Sequence, residues 1–269
     1  MRRPAIGAAL GLIVIAAFTF LGPMVHPTDP NEIDLANILA SNSPRHPLGT
    51  DETGRDVLAR LMVGGRVTLL VGMATALVAL VAGVAIGGLA ATGRRWLDAA
   101  AGRLLDAAMA VPSFFVLLVI VTLFGGSIVT LILAIGATAW VGIARLVRAE
   151  ALSLREREFV AAARALGAPP RRVLLRHIVP HLRPTLAAAA GVGVSQAVLT
   201  ESALSFLGLG IQPPQASWGN MLTGAQPALL AAPWLALYPG ICIVLAVLAC
   251  NALIEQLRST PSDARRRVA

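Results

Sequence analysis

Val67–Ala91 is a run of 25 residues without a charged side chain. That exceeds the ~20 apolar residues an α-helix needs to cross the hydrocarbon core of a bilayer. Further apolar runs stand at Ala5–Leu21, before Phe124, over Ile128–Ile143, after Pro184 and over Leu235–Leu253. Backbone that crosses lipid must satisfy its hydrogen bonds internally, so such runs are helices. Composition agrees: 13% of residues are charged, against about 25% in soluble domains. The expected fold is therefore all-α: a polytopic membrane protein of six transmembrane helices, with both termini cytoplasmic and the bundle as its own core.

All 22 basic residues are arginine, and lysine is absent. A phosphate-binding P-loop needs G-x-x-x-x-G-K-[ST], so the chain has none; if ATP drives it, the ATPase is another subunit. With six spans and the N-terminus inside, 18 of the 22 arginines fall on the cytoplasmic side, and Arg45, Arg55, Arg60 and Arg66 fall outside. This is the positive-inside bias of membrane proteins. It accounts for the net charge of +8 without nucleic acid. Cys242 and Cys250 lie on one span, about 12 Å apart along a helix, too far for a disulfide.

The organisation in order is as follows. Residues 1–24 hold the first span, read as uncleaved because no small-x-small site follows; a cleaved signal peptide is the alternative. Residues 25–66 form an extracytoplasmic segment. Within it Asp51–Met62 is expected to be an amphipathic helix on the membrane surface, capped by Thr50 or Asp51, with Val57, Leu58, Leu61 and Met62 on one face and an Asp56–Arg60 pair. Residues 67–254 hold the other five spans. Thr92–Arg103 reads as a short basic turn, with Asp98 and Asp106 pairing with nearby arginines. Gly125-Gly126-Ser127 is a tight turn. Ser205–Trp234 is external or re-entrant, and residues 255–269 form a basic tail.

Between the fourth and fifth spans, residues 145–183 hold nine of the arginines. Phe159, Ala163 and Leu166 share a helical face. Gly167 stands at a C-cap, and Pro169-Pro170 stop the helix. A second helix restarts over Arg171–Ile178 with Val173, Leu174 and Ile178 apolar. The result is a bent basic elbow, either a solvated loop or a docking element. Its His177 and His181 have the i,i+4 spacing of two metal ligands, but Pro180 interrupts them and no H-E-x-x-H accompanies them. In the fifth span Ser195, Gln196, Thr200, Glu201 and Ser202 make a polar stripe. Glu201 is the one acid well inside a predicted span. It lines a pathway or hydrogen-bonds between helices.

The spacing Ala161-Ala162-Ala163, Gly167, then Ile178-Val179-Pro180 resembles the EAA loop of bacterial ABC importer permeases. The family has glutamate where this chain has Ala161. His46–Arg66 and Ala203–Leu222 resemble signatures of the dipeptide, oligopeptide and nickel branch of that family. The resemblance implies a type I ABC importer transmembrane domain. It also implies a partner set: a second, homologous permease subunit in a heterodimer, one or two ABC ATPase subunits that hold ATP and Mg, and an extracytoplasmic substrate-binding protein. Within this chain it implies no cofactor, no metal and no catalytic residue. Ala161, Ala162, Ala163, Gly167, Ile178 and Pro180 would couple to the ATPase. The branch takes peptides, nickel and other small solutes; the text IQPPQASWGNML is closer to the peptide members. A secondary transporter or a channel is the alternative; it needs inverted repeats or midplane ionisable residues, and here no repeat is visible and Glu201 alone is thin support.

Overall fold

The computed structural model describes residues 3–89 and 95–259. α1 (Arg3–Phe20) and the short α2 (Gly22–Val25) lead into a polar segment with a 3-10 turn at Leu35–Asn37. Then come α3 (Val57–Gly88), α4 (Arg95–Ala110), α5 (Ser113–Phe124) and α6 (Ile128–Arg155). The elbow holds α7 (Glu158–Ala165), α8 (Pro170–Arg172), a π-helical turn over Val173–Ile178 and α9 (Val179–His181). α10 (Arg183–Phe206), α11 (Trp218–Ala225) and α12 (Trp234–Ser259) follow. Among the described residues the only β-type pairing is an isolated bridge between Thr50 and Asp56.

α3, α6 and Trp234–Glu255 are each long and apolar enough to cross a membrane. α4 and α5 qualify only as a pair, and they meet at a bend of 78°. Pro112 makes the break, since it has no N–H and pushes Val111 out of the helical region. Residues 95–103, expected as a turn, belong to α4. Among the described residues up to four spans thus satisfy length and composition, where hydropathy counted six. α10 has 24 residues, about 36 Å at 1.5 Å each, but its polar second half lowers its hydropathy. α1 contributes a shorter apolar stretch, Ala9–Phe20. Arg2, Arg94 and the tail beyond Ser259 lie outside the described residues.

The start of α3 differs from expectation. The helix begins at Val57 rather than Asp51 and runs unbroken through the anticipated boundary at 66/67. Asp56 is the N-cap, its Oδ1 accepting from the Ala59 N–H at 2.7 Å. Asp51 instead folds the preceding turn, accepting from the N–H groups of Thr53 and Arg55. Nor does Asp56 pair with Arg60, whose guanidinium goes to Asp51 at 3.5 Å. The Val57, Leu61 and Met62 side chains are buried in protein, so this face is core, not a membrane-surface face.

α3 is the central post. Where it meets α6, a Cβ at Gly83 would sit 2.6 Å from Ile143 Cγ2, and one at Gly87 2.4 Å from the Ala144 carbonyl oxygen. Small residues there let the backbones approach, as in membrane helix pairs. α10 packs on α3 and α12 packs on α10. Arg66 ties α1 to α3 by donating to the Thr19 and Phe20 carbonyl oxygens at 2.8 Å each, which caps the C-terminus of α1.

Candidate functional site

The elbow is closed by a glycine. Gly167 has φ +81°, in the left-handed region that side-chain-bearing residues avoid. The Gly167 N–H donates to the Arg164 carbonyl at 2.9 Å and the Ala168 N–H to the Ala163 carbonyl at 3.0 Å. These two bonds are a Schellman cap on α7. Pro169 and Pro170 then turn the chain, and the helix restarts at Pro170. Pro180 cannot donate a backbone hydrogen bond, and the turn before it is wound as a π-helix, a common neighbour of such interruptions.

This geometry sorts the predicted coupling residues into two groups. Ala163 and Ile178 are both buried, and Ile178 packs with Val160, Val173 and Leu182 against Val147 and Ala151 of α6. Ala161, Ala162 and Gly167 are exposed, and Pro180 is half-buried. The shared face of Phe159, Ala163 and Leu166 is divided: Leu166 is 88% exposed and Phe159 partly exposed, while Ala163 is buried. Phe159 stacks on His181 at 4.6 Å between ring centroids. His181 also bonds the His177 carbonyl through Nδ1, so its ring joins the two halves of the elbow. The outer surface is an apolar patch of Ala161, Ala162, Leu166 and Leu175, with Arg164, Arg171, Arg172 and Arg176 exposed around it. Exposed apolar area rimmed by charge is the signature of an interaction site.

The polar stripe on α10 divides. Gln196 and Thr200 line a cavity of about 410 Å³ with Thr75 of α3 and Thr138 of α6. The Thr75 hydroxyl is buried there without a hydrogen-bond partner. Ser195 turns away, donating to the Gly191 carbonyl and to Asn251 Oδ1 of α12, each at 3.3 Å. Glu201 is fully buried and Ser202 nearly so, and neither lines that cavity. Glu201 Oε1 accepts from Ser205 Oγ at 2.7 Å, and Ser205 Oγ accepts from the Ile211 N–H at 3.0 Å. Glu201 thus fastens the segment after α10.

Residues 83–259 match the model of the family described as binding-protein-dependent transport system inner membrane component. The chain belongs to this family. It is 42% identical to a putative peptide permease protein of Brucella suis over 93% of this chain and 85% of the relative. It is 36% identical to the oligopeptide transport system permease protein OppC of Haemophilus influenzae, over 97% and 86%. It is also 36% identical to the dipeptide transport system permease protein DppC of Alkalihalophilus pseudofirmus, over 93% and 84%. The chain is thus a multi-pass transport subunit, and its sequence has no P-loop of its own.

The opposite pole of this permease is built by residues whose role the sequence did not disclose. Asp56, buried at the start of α3, meets His46 Nδ1 at 2.9 Å and His26 Nε2 at 3.3 Å. Arg55 donates from Nε to Asp51 at 2.7 Å and from Nη2 to Glu52 at 3.2 Å. Burial, with Asp51 beside it, pushes the Glu52 carboxyl above its usual range. Two distant signatures meet here, as Arg55, Arg60, Gln212 and Asn220 line one cavity of about 220 Å³. Asn220 donates to the Ile211 and Gln215 carbonyls and closes a capping box with Ser217. The Ser217-x-x-Asn220 spacing was the readable signal for that box.

Glu201→Ala is expected to lower the thermal midpoint of the detergent-solubilised transporter, because it strands the Ser205 hydroxyl at about 1–3 kcal/mol per buried unpaired group. Glu201→Gln, which keeps an acceptor, is expected to lose less. Substrate KM should stay unchanged in both. A shifted KM with an unchanged midpoint would put Glu201 in the pathway instead.

Proposed function

We propose that this chain is one of two homologous permease subunits of an ATP-driven importer of di- or oligopeptides in a bacterial inner membrane. The elbow docks in a cleft of a cytoplasmic ATPase that holds ATP and Mg, and an extracytoplasmic binding protein delivers substrate to the opposite pole. The observation that carries this reading is the division of the elbow. Val160 and Ile178 anchor it to α6, while Ala161, Ala162 and Leu166 present an apolar patch outward. A patch so held transmits a push from a docked partner into α6 and α10 as a rigid body. Six spans with both termini cytoplasmic put this face on the ATPase side, in keeping with the arginine bias. The cavity bordered by Thr75, Gln196 and Thr200 is this subunit's half of the path, with hydroxyl and amide groups suited to peptide backbone. The names of the relatives support peptides as cargo.

Co-purification tests this. A tagged chain extracted in mild detergent should bring a second permease and P-loop ATPases, and uptake of labelled peptides by the reconstituted complex should require ATP. A chain that purifies alone and transports without ATP overturns the reading.

A further inference from the structure

α4 and the facing stretch of α6 border an open cavity of about 320 Å³ at the elbow end of the bundle. Arg103 and Asp106 of α4 and Arg145 and Arg148 of α6 line it, with Gly102 and Met109. Arg148 is already paired, donating from Nε to Asp98 at 2.7 Å. Arg145 reaches only the Met109 sulfur, at 3.6 Å. Among the described residues, Arg103, Arg145 and Asp106 form no ion pair. Among the described residues, two guanidinium groups and one carboxylate therefore share a cavity without closing a salt bridge.

The surroundings are those of a membrane surface. α4 packs inward through buried Ala101 and Leu105, and its other apolar side chains stand out, Trp96 being 65% exposed. It meets α5 at a bend of 78°, so its axis runs across that of α5 rather than along it. An amphipathic helix with an exposed tryptophan, set across the end of a span, lies at head-group level. Exposed Val111 and Phe115 at the bend extend the apolar surface toward the hydrocarbon.

We propose that this cavity binds a zwitterionic phospholipid head group of the phosphoethanolamine kind, its phosphate held by Arg103 and Arg145 and its ammonium by Asp106. Guanidinium groups hold phosphate oxygens through paired, charge-assisted hydrogen bonds. A head group with negative charge alone would leave Asp106 facing an anion. One with an added primary amine places N–H donors on Asp106 while its phosphate accepts from both guanidinium groups. A quaternary amine offers no N–H to the carboxylate. The site rests only on the chain's crossing a bilayer, not on the docking of the elbow or on the cargo, so failure of those readings leaves it standing.

The test uses the intact transporter, purified with its partner subunits and examined by native mass spectrometry and lipid extraction. One phosphatidylethanolamine per copy of this chain should survive detergent exchange. The Arg103→Gln/Arg145→Gln double variant should retain roughly tenfold less, as expected for lost charge-assisted bonds. Asp106→Asn should keep a phospholipid but shift its preference toward phosphatidylglycerol in nanodiscs of mixed composition. Both substitutions fall on exposed side chains, and complex yield checks assembly. Equal lipid retention by parent and double variant overturns the proposal, as does a cavity filled by a partner subunit with no lipid bound. Unchanged preference in Asp106→Asn overturns the zwitterionic assignment. Displacement of the lipid by millimolar inorganic phosphate would assign the site to a free anion instead.

Discussion

Trp218→Ala is expected to destabilise the permease by about 3–5 kcal/mol, the range for truncating a buried large aromatic. It should appear as a large fall in the thermal midpoint of the detergent-solubilised complex. Trp218 has no exposed surface. Its indole Nε1–H donates to the Leu61 carbonyl at 2.9 Å and its backbone N–H to the Thr68 hydroxyl at 3.2 Å. The ring lies directly on α3, where a Cβ at Gly65 would come within 2.6 Å of Trp218 Cζ2. Gly65→Ala attacks the same seam from the other side and should also destabilise, since neither the ring nor the α3 backbone has room to yield. Trp218→Phe keeps most of the volume and loses the N–H, so its cost should be well under half that of alanine. The seam also positions function, because α11 seats the segment that Glu201 and Ser205 fasten to α10. If Trp218→Ala melts with the parent, α11 is not held by α3 as described.

What was legible in the sequence was what is local. Apolar run length found α3, α6 and α12, and Gly167 with two prolines found the end of α7. The start of α3 was misplaced because Asp51 and Asp56 are equally good caps in isolation. The choice is made by His26, His46 and Arg55, none of which periodicity weighs. Periodicity likewise found a stripe of Phe159, Ala163 and Leu166 but could not say how much of it faces protein. Leu166 at its end faces outward, while Ala163 is buried. α4 was missed as a helix because its polar residues resemble a loop, and only the bend at Pro112 makes it a separate element. The polar stripe on α10 was visible as composition. Its division into cavity-lining Gln196 and Thr200 and buried Ser195 and Glu201 depends on Asn251, Ile211 and α3, all distant in sequence.

Gly167→Glu is expected to abolish ATP-driven uptake while leaving the permease in the membrane at normal levels, whereas Gly167→Asn should retain most of the transport. A Cβ at this position meets nothing within 4 Å, so crowding is not the cause. The cause is backbone: at φ +81° an ordinary L-residue is strained by roughly 1–2 kcal/mol, while asparagine is the residue other than glycine that most readily tolerates this conformation. Glutamate relieves its strain by unwinding the Schellman turn, which gives up the bonds from Gly167 and Ala168 to Arg164 and Ala163. The last turn of α7 is then no longer closed by the chain that follows it, and the outward patch of Ala161, Ala162 and Leu166 loses its fixed position relative to α6. The spans stay packed because Val173, Ile178 and Leu182 still hold the rest of the elbow against α6. Vesicle uptake, membrane abundance and ATPase co-purification, measured together on both variants, separate the possibilities. Normal uptake by Gly167→Glu would show that the cap plays no part in coupling. Equal loss in both variants would mean that asparagine does not restore the left-handed turn, and the argument from φ would fail with it.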